Sequence, residues 1–213
     1  MSKPTILCMF SGGVDSAGVL HELLTNEKYS TFDLIVHHIH LWNRENRALV
    51  ELEAVKNILN YYKNEGKSSF VFTQNTFDTR GFAPLKSNRF PMDMDVCAFT
   101  AAQLHAAQPA IKHVAMGRTR SDVEGGGKGF ALRMRRAQAI FKSSLTIESA
   151  EPAEYIFPVV DFTKREIWDF LPEKVRESSW WCRRPVYKNG SDPQTCGACI
   201  SCKDMAPIIG NQS

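Results

Sequence analysis

Along this chain, short continuous apolar runs alternate with longer stretches in which apolar residues recur every three or four positions. Thr5-Ile6-Leu7-Cys8-Met9-Phe10 is apolar enough for a strand buried on both faces of a parallel sheet. After it, Ala17, Leu20 and Leu24 fall on one helical face. Phe32 to His40 reads as a second strand, and Leu52, Val55, Leu59 and Tyr62 mark a second helix. Ser69 to Thr73 is a third strand, and a turn-rich stretch around Gly81, Pro84 and Pro91 leads into a helix from about Asp93 to Ala107. Ile111 to Met116 gives a fourth strand. Glu124-Gly125-Gly126-Gly127 reads as a glycine-rich loop ahead of a basic helix with Arg133, Arg135 and Arg136. Tyr155 to Val160 is a fifth apolar run, and Thr163-Lys164-Arg165-Glu166 opens a further helix with a capping box. This alternation predicts an α/β fold, a mostly parallel Rossmann-like sheet with helices on both faces. Ligands of such sheets lie beyond the carboxyl ends of the strands, where Ser11 to Ser16 and Gly117 to Asp122 both fall.

The hexapeptide Ser11-Gly12-Gly13-Val14-Asp15-Ser16 joins the first strand to the first helix. Two adjacent glycines let the backbone turn sharply and approach a ligand, and the N–H groups at the helix start point at whatever lies above them. An anion, nucleotide phosphate above all, is the natural occupant. The Walker pattern requires a Lys after its last Gly and the dinucleotide fingerprint three spaced glycines; neither is present.

Composition narrows the class without choosing the chemistry. A chain of 213 residues with 43% hydrophobic positions can bury one full core. One main domain over residues 1–175 and a small appendage over 176–213 are expected. No apolar run approaches the roughly 18 residues of a spanning helix, and no signal-peptide pattern precedes the first strand, so a cytoplasmic protein is expected, with no membrane partner. A formal charge of +3 is too small to imply non-specific DNA binding.

The appendage carries Cys182, Cys196, Cys199 and Cys202, four thiols within 21 residues of polar, Pro- and Gly-rich sequence. Two Cys-x-x-Cys turns sharing Cys199 deliver thiolates to one point, which suits tetrahedral zinc. A structural metal would also organise a segment with little apolar core of its own. Overlapping Cys-x-x-Cys pairs also hold iron-sulfur clusters, while a reducing compartment argues against disulfides. Cys8 and Cys97 read as packing residues.

Ser11 to Ser16 resembles the pyrophosphate loop, Ser-Gly-Gly-x-Asp-Ser, of the ATP pyrophosphatases, which cut ATP between the α and β phosphates. Joined to the terminal thiols, it resembles the 7-cyano-7-deazaguanine synthase family of the queuosine and archaeosine pathway, over the length of the chain. That family closes on Trp-x-Cys and then Cys-Gly-x-Cys-x-x-Cys, matched by Trp180, Cys182, Cys196, Gly197, Cys199 and Cys202. Its proline-led strand and Thr-Lys helix start are matched by Pro158, Thr163, Lys164 and Glu166, and its Gly with an Asp five residues on by Gly117 and Asp122. The resemblance implies an ATP-dependent carbon–nitrogen ligase that converts 7-carboxy-7-deazaguanine to the nitrile with ammonia and two ATP, releasing AMP and pyrophosphate, or ADP and phosphate. On this reading Ser11, Gly12, Gly13, Val14, Asp15, Ser16 and Gly117 bind the nucleotide; Asp15, Asp122 and Lys164 are catalytic candidates, Asp15 with Mg2+; and the four cysteines hold Zn2+. The substrate is a small deazaguanine carboxylate, and a homodimer is the expected assembly.

The chain also departs from that pattern. Leu41-Trp42-Asn43-Arg44 aligns only loosely with the family's Tyr-Gly-Gln-Arg segment, and Phe90-Pro91-Met92-Asp93-Met94 keeps the proline of Val-Pro-x-Arg-Asn but not the Arg-Asn. Val123 to Gly129 replaces a Tyr-Pro-Asp-Cys-Arg loop, so the adenylating half is retained and the acceptor side rebuilt. The chief alternative is a thiolase-like tRNA-modifying enzyme, with Arg118, Arg120, Lys128, Arg133, Arg135, Arg136, Trp180, Trp181, Arg183 and Arg184 available to RNA. Charged helix positions are more often a solvated face, and tryptophans beside a metal knuckle more often cover it. A zinc-stabilised, non-catalytic ATP-binding module is the third alternative.

Overall fold

A computed structural model describes residues 3–67, 69–81, 93–125, 127–145, 151–188 and 192–210. The strands are β1 (Thr5–Met9), β2 (Asp33–Trp42), β3 (Phe70–Asp78), β4 (Ile111–Ala115) and β5 (Glu154–Ile156). The helices are α1 (Val14–Thr25), α2 (Ala48–Asn64), α3 (Asp93–Ala107), α4 (Arg120–Gly125), α5 (Gly127–Ser143), α6 (Lys164–Phe170), α7 (Glu173–Ser178) and α8 (Ile200–Ile209). All strand pairs are parallel and the order is β3-β2-β1-β4-β5.

β1 is central, which is why its five residues are all buried. Ile6, Cys8 and Phe10 face one side with Leu34 and Val36 of β2, where they meet Ala17 and Leu20 of α1, Val55 and Ile58 of α2, Ile167 of α6 and Met205 of α8. Leu7 and Met9 face the other side, against Ala98, Ala101 and Ala102 of α3 and Phe141 of α5. The period-two alternation of β1 thus divides the core into two layers, one per face of the sheet. Both connections out of β1 and β2 run to one side, and the chain then crosses to β4 on the other, so the crevice between the ends of β1 and β4 is a topological switch point.

The structure departs from the sequence pattern in three places. β3 runs to Asp78, five residues past the expected end, with Thr73 to Asp78 paired to His37 to Trp42. Polar Gln74, Asn75 and Thr76 disguise it because it is an edge strand that is only half-covered. β5 stops at Ile156: Pro158 has no N–H for a ladder, and turns closed by Val160 N–H to Phe157 O and Phe162 N–H to Val159 O follow. Of the expected glycine-rich loop, Glu124 and Gly125 end α4 and Gly127 starts α5, while Gly126 lies outside the described residues. The expected turns around Pro84 and Pro91 lie outside the described residues. Among the described residues no helix is long and apolar enough to cross a membrane.

Candidate active site

The loop from Ser11 to Ser16 sits on the carboxyl end of β1 and closes on itself. Ser16 Oγ donates to the Gly13 carbonyl at 2.9 Å and accepts from the Ser11 N–H at 3.3 Å, and the two serine hydroxyls lie 3.2 Å apart. Gly12 has φ +76, and a Cβ there would lie 3.0 Å from both Val55 N and Ala54 Cβ, so only glycine lets the loop rest on α2. Gly13 caps α1 without a side-chain hydrogen bond, which leaves the first-turn N–H groups to an anion. Across the switch point Gly117 abuts the same turn: a Cβ on it would lie 3.2 Å from Asp15 C and Cβ.

Three of the charged candidates converge here. Lys164, in the first turn of α6, brings its ammonium 3.3 Å from Asp15 Oδ2. Asp15 Oδ1 is buried with no hydrogen-bond partner among the described residues. Burial pushes the Asp15 pKa up; Lys164 pulls it down, and the nearby charge of Asp122 pushes it up again. An orphaned carboxylate oxygen beside a second carboxylate fits a hard cation such as Mg2+. Asp122 itself caps α4, accepting from Thr119 N–H at 2.9 Å and Thr119 Oγ1 at 3.0 Å. Thr163 and Glu166 form the capping box expected at the start of α6.

Beside the loop opens a cavity of about 270 Å³, with Met9, Ile39, Leu41, Met94 and Met116 as apolar walls. One wall is charged. Arg47 donates to Glu45, Glu51 and Asp93, and Arg183 donates to Glu45 at 2.9 and 3.0 Å and to Asp93 at 3.2 Å. Burial pushes Glu51 up to about 7, against the pull of Arg47, while the surrounding carboxylates hold Arg47 protonated. The Arg47/Glu51 spacing of four residues was the one visible hint, and it reads equally well as a solvated pair.

Cys182, Cys196, Cys199 and Cys202 come together, with all four sulfurs within 4.8 Å of one another. Cys196 N–H points at Cys182 Sγ at 3.2 Å and Cys199 N–H at Cys196 Sγ at 3.3 Å. Backbone N–H groups of Ala198 and Cys199 lower the Cys196 pKa to about 6. Four converging thiols with N–H donors behind them fit a thiophilic metal.

The residues available to RNA are largely occupied within the protein. Trp180 Nε1 donates to the Cys182 carbonyl at 2.8 Å, and Trp181 packs edge-on to Trp168 at 5.9 Å. Arg120 donates to the Asp161 carbonyl, Arg136 pairs with Asp95 at 3.0 Å and Arg118 lies over the Phe157 ring. The side chain of Lys128 lies outside the described residues.

The profile of the family described as queuosine biosynthesis protein QueC matches residues 5–206. No curated protein matches the chain. Among solved structures, the U34-tRNA thiolase NcsA from Methanococcus maripaludis with its [4Fe-4S] cluster is similar at TM-score 0.52 and 14% identity, over 99% of this chain and 65% of NcsA. This chain thus spans just under two thirds of that protein, and the likeness shows the fold alone. The NMN synthetase from Francisella tularensis matches at TM-score 0.40 and 13% identity, over 100% of this chain and 79% of its own. The profile match covers nearly the whole chain, loop and terminal thiols included, and the chain therefore belongs to the queuosine biosynthesis protein QueC family.

Proposed function

We propose that the protein adenylates the carboxylate of 7-carboxy-7-deazaguanine and, with ammonia and a second ATP, turns it into 7-cyano-7-deazaguanine. The observation that carries this reading is that the Ser11 to Ser16 loop, with Lys164 paired to its Asp15, lines together with Gly117 a cavity large enough for a small heterocycle. A carboxylate is a poor electrophile until one oxygen becomes a leaving group. Its oxygen attacks the α-phosphorus, the bond from that phosphorus to the bridging oxygen breaks, and pyrophosphate departs. Charge grows on the departing group, where the α1 N–H groups, the Ser11 and Ser16 hydroxyls and the Lys164 ammonium receive it. Mg2+ held by Asp15, with Asp122 close by, would neutralise the rest. Ammonia then attacks the acyl carbon and AMP leaves, giving the amide. In the second round the amide oxygen attacks another α-phosphorus and displaces a second pyrophosphate, and loss of AMP and protons from the adenylated amide leaves the nitrile.

The four thiols are proposed to hold one Zn2+ as a structural ion. At about 2.3 Å per Zn–S bond a tetrahedral ion sets its sulfurs roughly 3.8 Å apart, which suits thiols within 4.8 Å of one another better than a larger cluster does. The test is incubation with ATP, Mg2+ and ammonium, with and without 7-carboxy-7-deazaguanine, and mass spectrometry of the products. Acid-dependent AMP, pyrophosphate and nitrile are expected. Amide as the final product would mean that the rebuilt acceptor side stops the reaction halfway. Absence of acid-dependent AMP would overturn the reading and send the search to tRNA or protein acceptors.

A further inference from the structure

The charged wall of the cavity joins segments far apart in sequence: Glu45, Arg47 and Glu51 around the start of α2, Asp93 at the start of α3, and Arg183 next to Cys182. Three carboxylates serve two guanidiniums, and Glu45 and Asp93 are shared between them. The two arginines are not equivalent. The Arg47 side chain is 12% exposed and that of Arg183 43%, so Arg47 is the enclosed counter-ion and Arg183 the one with room to turn. When Arg183 leaves Glu45 and Asp93 for another anion, Arg47 still pairs with both carboxylates, and no buried charge is stranded.

The residues that precede Arg183 in the chain aim it. Trp180 N–H donates to the Gly12 carbonyl at 2.9 Å, and the Trp180 carbonyl lies 3.3 Å from where a Cβ on Gly13 would be. Cys182, between Trp180 and Arg183 in the chain, belongs to the thiol cluster. The backbone is thus tied to the phosphate loop at one end and to the metal site in the middle, and Arg183 lines the same cavity as Ser11 and Asp15. A guanidinium takes a carboxylate through two parallel N–H···O bonds, which an ammonium cannot.

We infer that Arg183 is a specificity-determining residue: it exchanges Glu45 and Asp93 for the carboxylate of the acceptor and presents that carboxylate to the phosphate loop. The inference rests on the carboxylate-adenylation reading above. It is tested by calorimetric titration of the metal-loaded protein, without ATP, with 7-carboxy-7-deazaguanine and with its neutral 7-carboxamide. The wild type should prefer the acid by about tenfold or more. Arg183→Ala should lower acid affinity by about tenfold or more and amide affinity by less than about threefold, with Arg183→Lys in between. Melting temperature and bound metal are followed in each variant, and Arg183→Gln replaces Arg183→Ala if the latter misfolds. Equal weakening toward both ligands, or undiminished acid affinity, overturns the role of Arg183 alone. Failure of the wild type to bind either ligand overturns the acceptor reading, and this inference with it.

Discussion

Asp15 illustrates at single-residue scale how the site trades stability for chemistry. Its carboxyl is pushed toward the neutral form by burial and by Asp122, is held by Lys164, and keeps one oxygen without a partner. Such a group contributes little to folding, and its position makes sense when a cation and a polyphosphate complete it. Asp15→Ala should therefore reduce turnover by at least about a hundredfold while leaving the melting temperature within a few degrees of wild type. Wild-type turnover in that variant would remove the loop carboxylate from the mechanism. Gly12 has the opposite character. Gly12→Ala meets a positive φ and the backbone of α2 at once, and should cost on the order of 1–3 kcal/mol in a denaturant titration. The turn at Gly12 was legible in the hexapeptide, because adjacent glycines between a strand and a helix have few other uses. Arg47, Glu51, Asp93 and Arg183 were not, since a charged residue at a helix start or in a bend looks the same whether it faces water or a cavity.

At the scale of elements, β2 both supports the loop and sets a pH limit on the fold. His38 is buried, and its Nδ1 donates to the Phe10 carbonyl at 3.0 Å, one residue before the loop begins. Burial lowers its pKa from 6.5 to about 4. Below pH 6.5 the unfolded chain takes up a proton that the folded protein refuses until about pH 4, so this contribution is present in full above 6.5 and is lost as pH falls toward 4. Between pH 7 and 5 it should cost on the order of 2 kcal/mol, and His38→Gln, which keeps a donor, should flatten the fall. An identical pH profile in the variant would contradict this assignment. The cysteine segment is the second such element. Cys199→Ser should lower metal content and melting temperature together, the latter by at least about 5 °C, because the described residues between Cys182 and Ser201 add nothing to either core layer and α8 alone is anchored, through Met205 and Ile208. An unchanged melting temperature after metal loss would count against a structural ion.

Over the whole molecule, the α/β alternation of the sequence alone places the loop and Gly117 at the strand ends, because β1 and β4 are short, continuous apolar runs. What stayed hidden was long-range: the edge strand β3 with its polar face, the helices on either side of the glycine run, and the path that carries Arg183 from the thiol cluster back to α2 and α3. Each depends on packing against parts of the chain that are distant in sequence, which periodicity does not report. The central claim, that the loop directs attack on the α-phosphorus, is tested most directly with 7-carboxy-7-deazaguanine labelled with oxygen-18 in its carboxylate. One labelled oxygen should appear in the AMP formed with the first amide. Label in inorganic phosphate, with ADP as the nucleotide product, would mean that the carboxylate attacks the γ-phosphorus and would contradict the account.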